Sequence, residues 1–85
     1  MALHILIVED TFQVRNLIIK IVRHMYPEAK IEGVSTGIEA LRYTLRSRPD
    51  LIITDLEMPS YSGYDLMLSL RSALETSTLP CIVVT

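Results

Sequence analysis

The stretch Leu51–Leu66 reads LIITDLEMPSYSGYDL. Its first four residues, Leu51 to Thr54, form a short apolar and β-branched run, the pattern of a buried strand. The run stops on a carboxylate, Asp55. Pro59 cannot continue a helix and biases Met58 toward extended backbone, while Gly63 permits a tight turn. Ser62 precedes Asp65 by three, the spacing of a capping box. Leu66, Met67, Leu70 and Leu74 then give a helix with one apolar face. The stretch therefore predicts strand, loop and helix, with an acid at the strand's carboxyl end.

The same alternation extends in both directions. Leu3–Val8 (LHILIV) is another continuous apolar run and predicts a strand buried on both faces. In the segment after it, Phe12, Val14, Leu17, Ile18, Ile21, Val22 and Met25 fall at helical spacing, and Pro27 marks the stop. Ala29–Ser35 alternates, with Ile31 and Val34 apolar, as a half-exposed edge strand does. Thr36 precedes Glu39 by three, a second capping-box spacing, and opens a helix carrying Ile38, Leu41, Tyr43 and Leu45 before Pro49. Leu79–Thr85 (LPCIVVT) closes the chain as a fourth strand, with Pro80 at its start, where the ladder tolerates it. Four strands separated by three helices require parallel pairing through right-handed crossovers. The fold class is an open α/β sheet with helices on both faces. The edge character of the second strand favours the flavodoxin-like order, with that strand outside the first.

Composition narrows the function classes. The chain has 85 residues, 49% of them hydrophobic, with a formal net charge of −2. This fits one small domain and is far from disorder. Nothing in the charge suggests direct binding to nucleic acid or to a membrane. No apolar run approaches the roughly 18 residues of a membrane helix, and no secretory signal is visible. A cytoplasmic setting is the expectation. The single cysteine, Cys81, sits among apolar neighbours and reads as a small core hydrophobe.

Ligands of open α/β sheets bind beyond the carboxyl ends of the strands. Glu9 and Asp10 stand at the end of the first strand, Asp55 at the end of the third and Thr85 at the end of the fourth. Carboxylates brought together repel, and a divalent cation offsets the repulsion. An all-oxygen set without Cys or a nearby His favours Mg²⁺ over zinc. His4 lies at the other end of its strand and His24 in a basic stretch of the first helix, so both read as structural or solvated. An Asp in such a place can also act as a nucleophile toward phosphorus, with a metal neutralising the transferring group. Taken singly, Asp55 is also explained as a turn cap, and Glu9 and Asp10 as the cap and first-turn acid of the next helix. The coincidence of all three favours a site.

These residues resemble the receiver domains of response regulators in two-component signalling. The resemblance is carried by ILIVED (Ile5–Asp10), GIEAL (Gly37–Leu41), PDLIITDLEMP (Pro49–Pro59) with Gly63, and LPCIVVT, so it spans the chain. It implies that Asp55 is the phospho-acceptor and also a ligand of the metal. It implies that Asp10 binds Mg²⁺ directly, that Glu9 does so more loosely or through water, and that the Glu57 backbone carbonyl is a further ligand. Thr85 would be the switch hydroxyl. A histidine kinase or phosphotransfer protein would be the partner, and the domain would be a self-phosphorylating signalling acceptor, not an enzyme acting on other substrates. Receiver domains continue with a further helix, a fifth strand bringing a lysine to the site, and a last helix. The sequence stops at Thr85, and Lys20 and Lys30 stand at no strand's carboxyl end. The expectation is a receiver-type sheet lacking its last helix, strand and helix, with residues 1–85 as its N-terminal portion. A bare fourth strand and first helix would favour a homodimer or poor solubility. The alternative reading is a phosphorylation-incompetent interaction module. A third, a phosphatase of the haloacid-dehalogenase type, requires D-x-D after the first strand, whereas the sequence has Asp55-Leu56-Glu57 on the third.

Overall fold

A computed structural model describes residues 2–84. In chain order they form β1 (His4–Val8), α1 (Phe12–Met25), β2 (Lys30–Val34), α2 (Gly37–Ser47), β3 (Leu51–Asp55), α3 (Gly63–Ser72), a 3₁₀ turn (Leu74–Thr76) and β4 (Cys81–Val84). All strand pairs are parallel, in the order β2-β1-β3-β4. The edge position expected of the second strand is thus observed. Leu74, expected on α3, falls beyond the helix in the 3₁₀ turn.

The two faces of the sheet are read directly from alternation. Ile5 and Ile7 of β1 point to α1 and pack with Ile18, Ile19, Val22, Leu51 and Ile53. Leu6, Val8 and Ile52 point the other way, onto Ala40 of α2, Leu66 and Leu70 of α3, and Met58 of the loop between β3 and α3. Both faces of β1 are sealed, since Ile5, Leu6 and Ile7 are fully buried. That is why its sequence is a continuous apolar run rather than an alternating one.

The helices match the expected positions but not always the expected faces. α2 buries Gly37, Ala40 and Thr44, while Ile38 and Leu45 are exposed. Small residues at this spacing let the helix lie close to its neighbours, so the larger side chains are displaced to the rim. The α2 cap is half a capping box. The Glu39 amide donates to Thr36 Oγ1, but the Glu39 carboxylate accepts from the Ser35 and Thr36 hydroxyls rather than from the cap backbone. In α3 the box is complete, with Ser62 and Asp65 each accepting from the other's backbone amide. Cys81 is half-buried against the α2–α3 side, and burial pushes its thiol pKa up. His4 is structural, its Nε2 lying 2.6 Å from the Tyr43 hydroxyl. His24 is exposed.

Val22 is the one buried residue of α1. Arg15 and Ile19 lie over Gly33 of β2, so at 100° per residue Leu17 and Ile21 occupy the opposite flank, toward β3 and β4. Leu17 is 57% and Ile21 52% exposed. Ile82 pairs with Ile53, which faces α1, and is itself 51% exposed. Among the described residues β4 has one neighbouring strand. Exposed apolar side chains on α1 and β4 are thus left without cover among the described residues.

Candidate functional site

The site is built at the carboxyl edge of the sheet by two strand ends. β1 runs out after Val8, and the Glu9 amide still donates to the Val34 carbonyl at 3.1 Å, holding the chain in line with β2. The register sets Val8 against Thr54 of β3, so the residues that follow, Glu9 and Asp10, emerge beside Asp55. One carboxylate oxygen from each of Glu9, Asp10 and Asp55 can be chosen so that all three lie within 4.8 Å of one another. The three acids that the sequence placed on one edge are therefore one cluster.

Their environments differ. Glu9 is buried, and its carboxylate accepts from the Thr11 amide at 3.0 Å. Burial raises the pKa of Glu9 above the usual carboxylate value. The Thr11 hydrogen bond opposes that rise, and the neighbouring Asp10 and Asp55 add to it. Asp10 is exposed and Asp55 half-buried. The capping explanation does not describe Asp10: α1 is capped by Thr11 without a side-chain cap bond, and no acid lies in its first turn.

The loop after β3 positions Asp55 from the other side. The Glu57 amide donates to Asp55 Oδ1 at 3.4 Å, and the Glu57 side chain is exposed. Ser60, not a glycine, takes the left-handed backbone, with φ 68°. Gly63 has no positive φ, so the tight-turn role expected for it is corrected. Its requirement is space. A Cβ at Gly63 would stand 2.3 Å from the Asp55 carbonyl oxygen and 3.1 Å from Leu56 Cα, both backbone atoms. The Gly63 amide donates to the Leu56 carbonyl at 2.8 Å, closing the loop. A shallow depression lined by Glu57, Met58, Pro59, Ser62 and Tyr64 opens beside it. Thr85 lies outside the described residues.

A residue that the sequence reading passed over also reaches the site. Arg15 Nη1 donates to the Glu9 carbonyl at 2.9 Å. No local pattern signals this, because the pair is six residues apart across a loop and a helical turn.

The donor set fits Mg²⁺. It offers hard oxygen ligands only, from carboxylates that repel one another without a cation, and it is open to solvent at Asp10.

The family model of the response regulator receiver domain matches residues 5–85. The chain belongs to this family. Receiver relatives include a protein-glutamate methylesterase/protein-glutamine glutaminase of Syntrophus aciditrophicus, 38% identical over 94% of this chain and 22% of that protein. The polar-differentiation response regulator DivK of Brucella anthropi is 34% identical over 95% of this chain and 64% of its own length. A solved receiver domain of a Syntrophus aciditrophicus signal transduction histidine kinase superposes with a TM-score of 0.91. It is 37% identical and covers 99% of this chain and 62% of its own. This receiver thus spans a minor part of the methylesterase and just under two thirds of the other two. The four-stranded sheet and three helices are a receiver-like flavodoxin fold. Among the described residues no helix is long and apolar enough to cross a membrane.

Proposed function

We propose that this receiver accepts a phosphoryl group on Asp55 in a Mg²⁺-dependent reaction and passes the change on as a signal. The observation that carries the reading is the convergence of Glu9, Asp10 and Asp55 oxygens within 4.8 Å. Asp55 is the nucleophile. One of its carboxylate oxygens attacks phosphorus, and the bond from phosphorus to the donor's leaving atom breaks. That atom is an imidazole nitrogen in a phosphohistidine and a carboxyl oxygen in acetyl phosphate. The electron pair leaves with it, and an aspartyl phosphate remains. Asp10 and Asp55 would hold the metal directly, Glu9 more loosely, and the Glu57 backbone carbonyl would be a further ligand. Held there, Mg²⁺ would supply the positive charge that offsets the acids and the phosphoryl oxygens. Thr85 follows the phosphoryl group as the switch hydroxyl. The donor is a histidine kinase or phosphotransfer protein, and the setting is cytoplasmic.

The test is intact mass after incubation with acetyl phosphate and Mg²⁺. A gain of one phosphoryl group, lost on hydroxylamine treatment, absent without Mg²⁺ and absent in Asp55→Asn, supports the reading. No gain from a folded chain contradicts it. That outcome favours an interaction module, for which the exposed shelf of Leu17, Ile21 and Ile82 is the specific observation.

A further inference from the structure

Two features of this chain lie outside the acid cluster yet meet beside it. Gly33 interrupts the edge strand β2, where a β-branched residue suits the pleat better and Gly weakens the strand. Arg15 stands on α1, and its side chain crosses this gap. A Cβ at Gly33 would lie 2.9 Å from Ile19 Cδ1, 3.2 Å from Arg15 Cδ and 3.4 Å from Arg15 Cγ, so the gap holds the Arg15 stem together with the end of Ile19. The guanidinium then ends on the Glu9 carbonyl, Nη1 to oxygen at 2.9 Å.

The loop it reaches has few other anchors. Thr11 caps α1 without a side-chain bond. The Glu9 amide is tied to Val34, and the Thr11 amide to the Glu9 carboxylate itself. The Glu9–Asp10 peptide joins two of the three clustered acids, and Arg15 grips that peptide's carbonyl. Hydrogen bonds from a charged donor are the stronger kind, and groups that orient metal ligands from behind govern affinity.

We propose that Arg15 is a positioning residue for the divalent-cation site, and that Gly33 is small so that its side chain can reach. Arg15 sets the peptide between Glu9 and Asp10 so that both carboxylates turn toward Asp55. This rests on the receiver reading above, and it adds a determinant on α1 and one on β2 that touch neither metal nor phosphate.

The test is a Mg²⁺ titration followed by the amide resonances of Asp10 and Asp55, beside thermal melting without metal. Arg15→Met keeps much of the stem and loses the donor. It is expected to weaken Mg²⁺ roughly tenfold, the low end for groups behind metal ligands. Arg15→Lys, which still offers a charged donor, is expected to recover part of that loss. Gly33→Ala, whose Cβ presses on Ile19 and on the Arg15 stem, is expected to fall between the unsubstituted chain and Arg15→Met. A lowered melting temperature with an unchanged Mg²⁺ dissociation constant in Arg15→Met would show a purely structural role and overturn the proposal. Should Arg15→Met not fold, Gly33→Ala decides by the same ratio, since only flexible side-chain ends oppose its Cβ. If the unsubstituted chain binds no Mg²⁺, both this proposal and the metal-dependent reading fall. If it binds and the variants match it, this proposal alone falls.

Discussion

Gly63→Ala is expected to destabilise the fold by about 3 kcal/mol, the upper end of ordinary overpacking costs. Helix propensity argues the other way. Gly63 is the first residue of α3 without a positive φ, and Ala is favoured over Gly inside a helix by about 1 kcal/mol. The contact decides the sign. The added Cβ would sit 2.3 Å from the Asp55 carbonyl oxygen and 3.1 Å from the Asp55 carbonyl carbon. No rotamer change relieves a clash between backbone and Cβ, so either α3 or the end of β3 must shift. Leu66 and Leu70 are fully buried, which resists the first movement. Asp55 is paired with Val84 and hydrogen-bonded to the Glu57 amide, which resists the second. A domain of this size has roughly 4–13 kcal/mol of stability in all, so the loss is large. Urea denaturation measures it. An alanine variant as stable as the unsubstituted chain would show that the loop yields without cost.

Removing the Asp55 charge is expected to have two opposite effects, separated by metal. Without Mg²⁺, Asp55→Asn is expected to melt higher than the unsubstituted chain, because Asp55 is one of the charges opposing ionisation of Glu9. With Mg²⁺ at about 100 times its dissociation constant, the unsubstituted chain gains about 2.7 kcal/mol by mass action. In a domain this small that is roughly 10–20 °C in melting temperature. Asp55→Asn is expected to lose most of that gain. The sign of the pH dependence follows from Glu9. Its folded pKa lies above its unfolded value, so the folded state holds its proton longer. Stability from this group is present below the unfolded pKa and is lost as pH rises through the raised folded pKa. In metal-free buffer the melting temperature is therefore expected to fall across that window. The fall is expected to be smaller in Asp55→Asn, where less repulsion acts on Glu9. An unaltered Mg²⁺ response in Asp55→Asn would separate Asp55 from the metal site.

The order of elements was legible because β1, β3 and β4 are short apolar runs, β1 and β3 closed by an acid and β4 opened by Pro80, while β2 alternates as an edge strand does. The site acids were legible for a related reason. A carboxylate cannot sit inside such a run, so Glu9, Asp10 and Asp55 mark where β1 and β3 leave the core. What local spacing does not carry was harder to read. Apolar residues surround much of α1, and the pattern does not say that Leu17 and Ile21 miss the sheet while Ile18 and Val22 reach it. In α2 the core face is made by Ala40 and Thr44, whose small size hides them beside Ile38 and Leu45. Gly63 was identified as special, but for the wrong reason. Its constraint is the approach of Asp55, a contact eight residues away, whereas Ser60 supplies the left-handed turn. Arg15 gave no signal because its partner is a backbone carbonyl.

The most direct measurement is the identity of the residue that carries phosphate. Treatment with acetyl phosphate and Mg²⁺, followed by borohydride reduction, converts an aspartyl phosphate to homoserine, which peptide mass mapping locates. Homoserine at position 55, and at no other acid of the Glu9, Asp10 and Asp55 cluster, is the expected result. Label at Glu9 or Asp10 instead, or none on a folded chain that binds Mg²⁺, would contradict Asp55 as the acceptor.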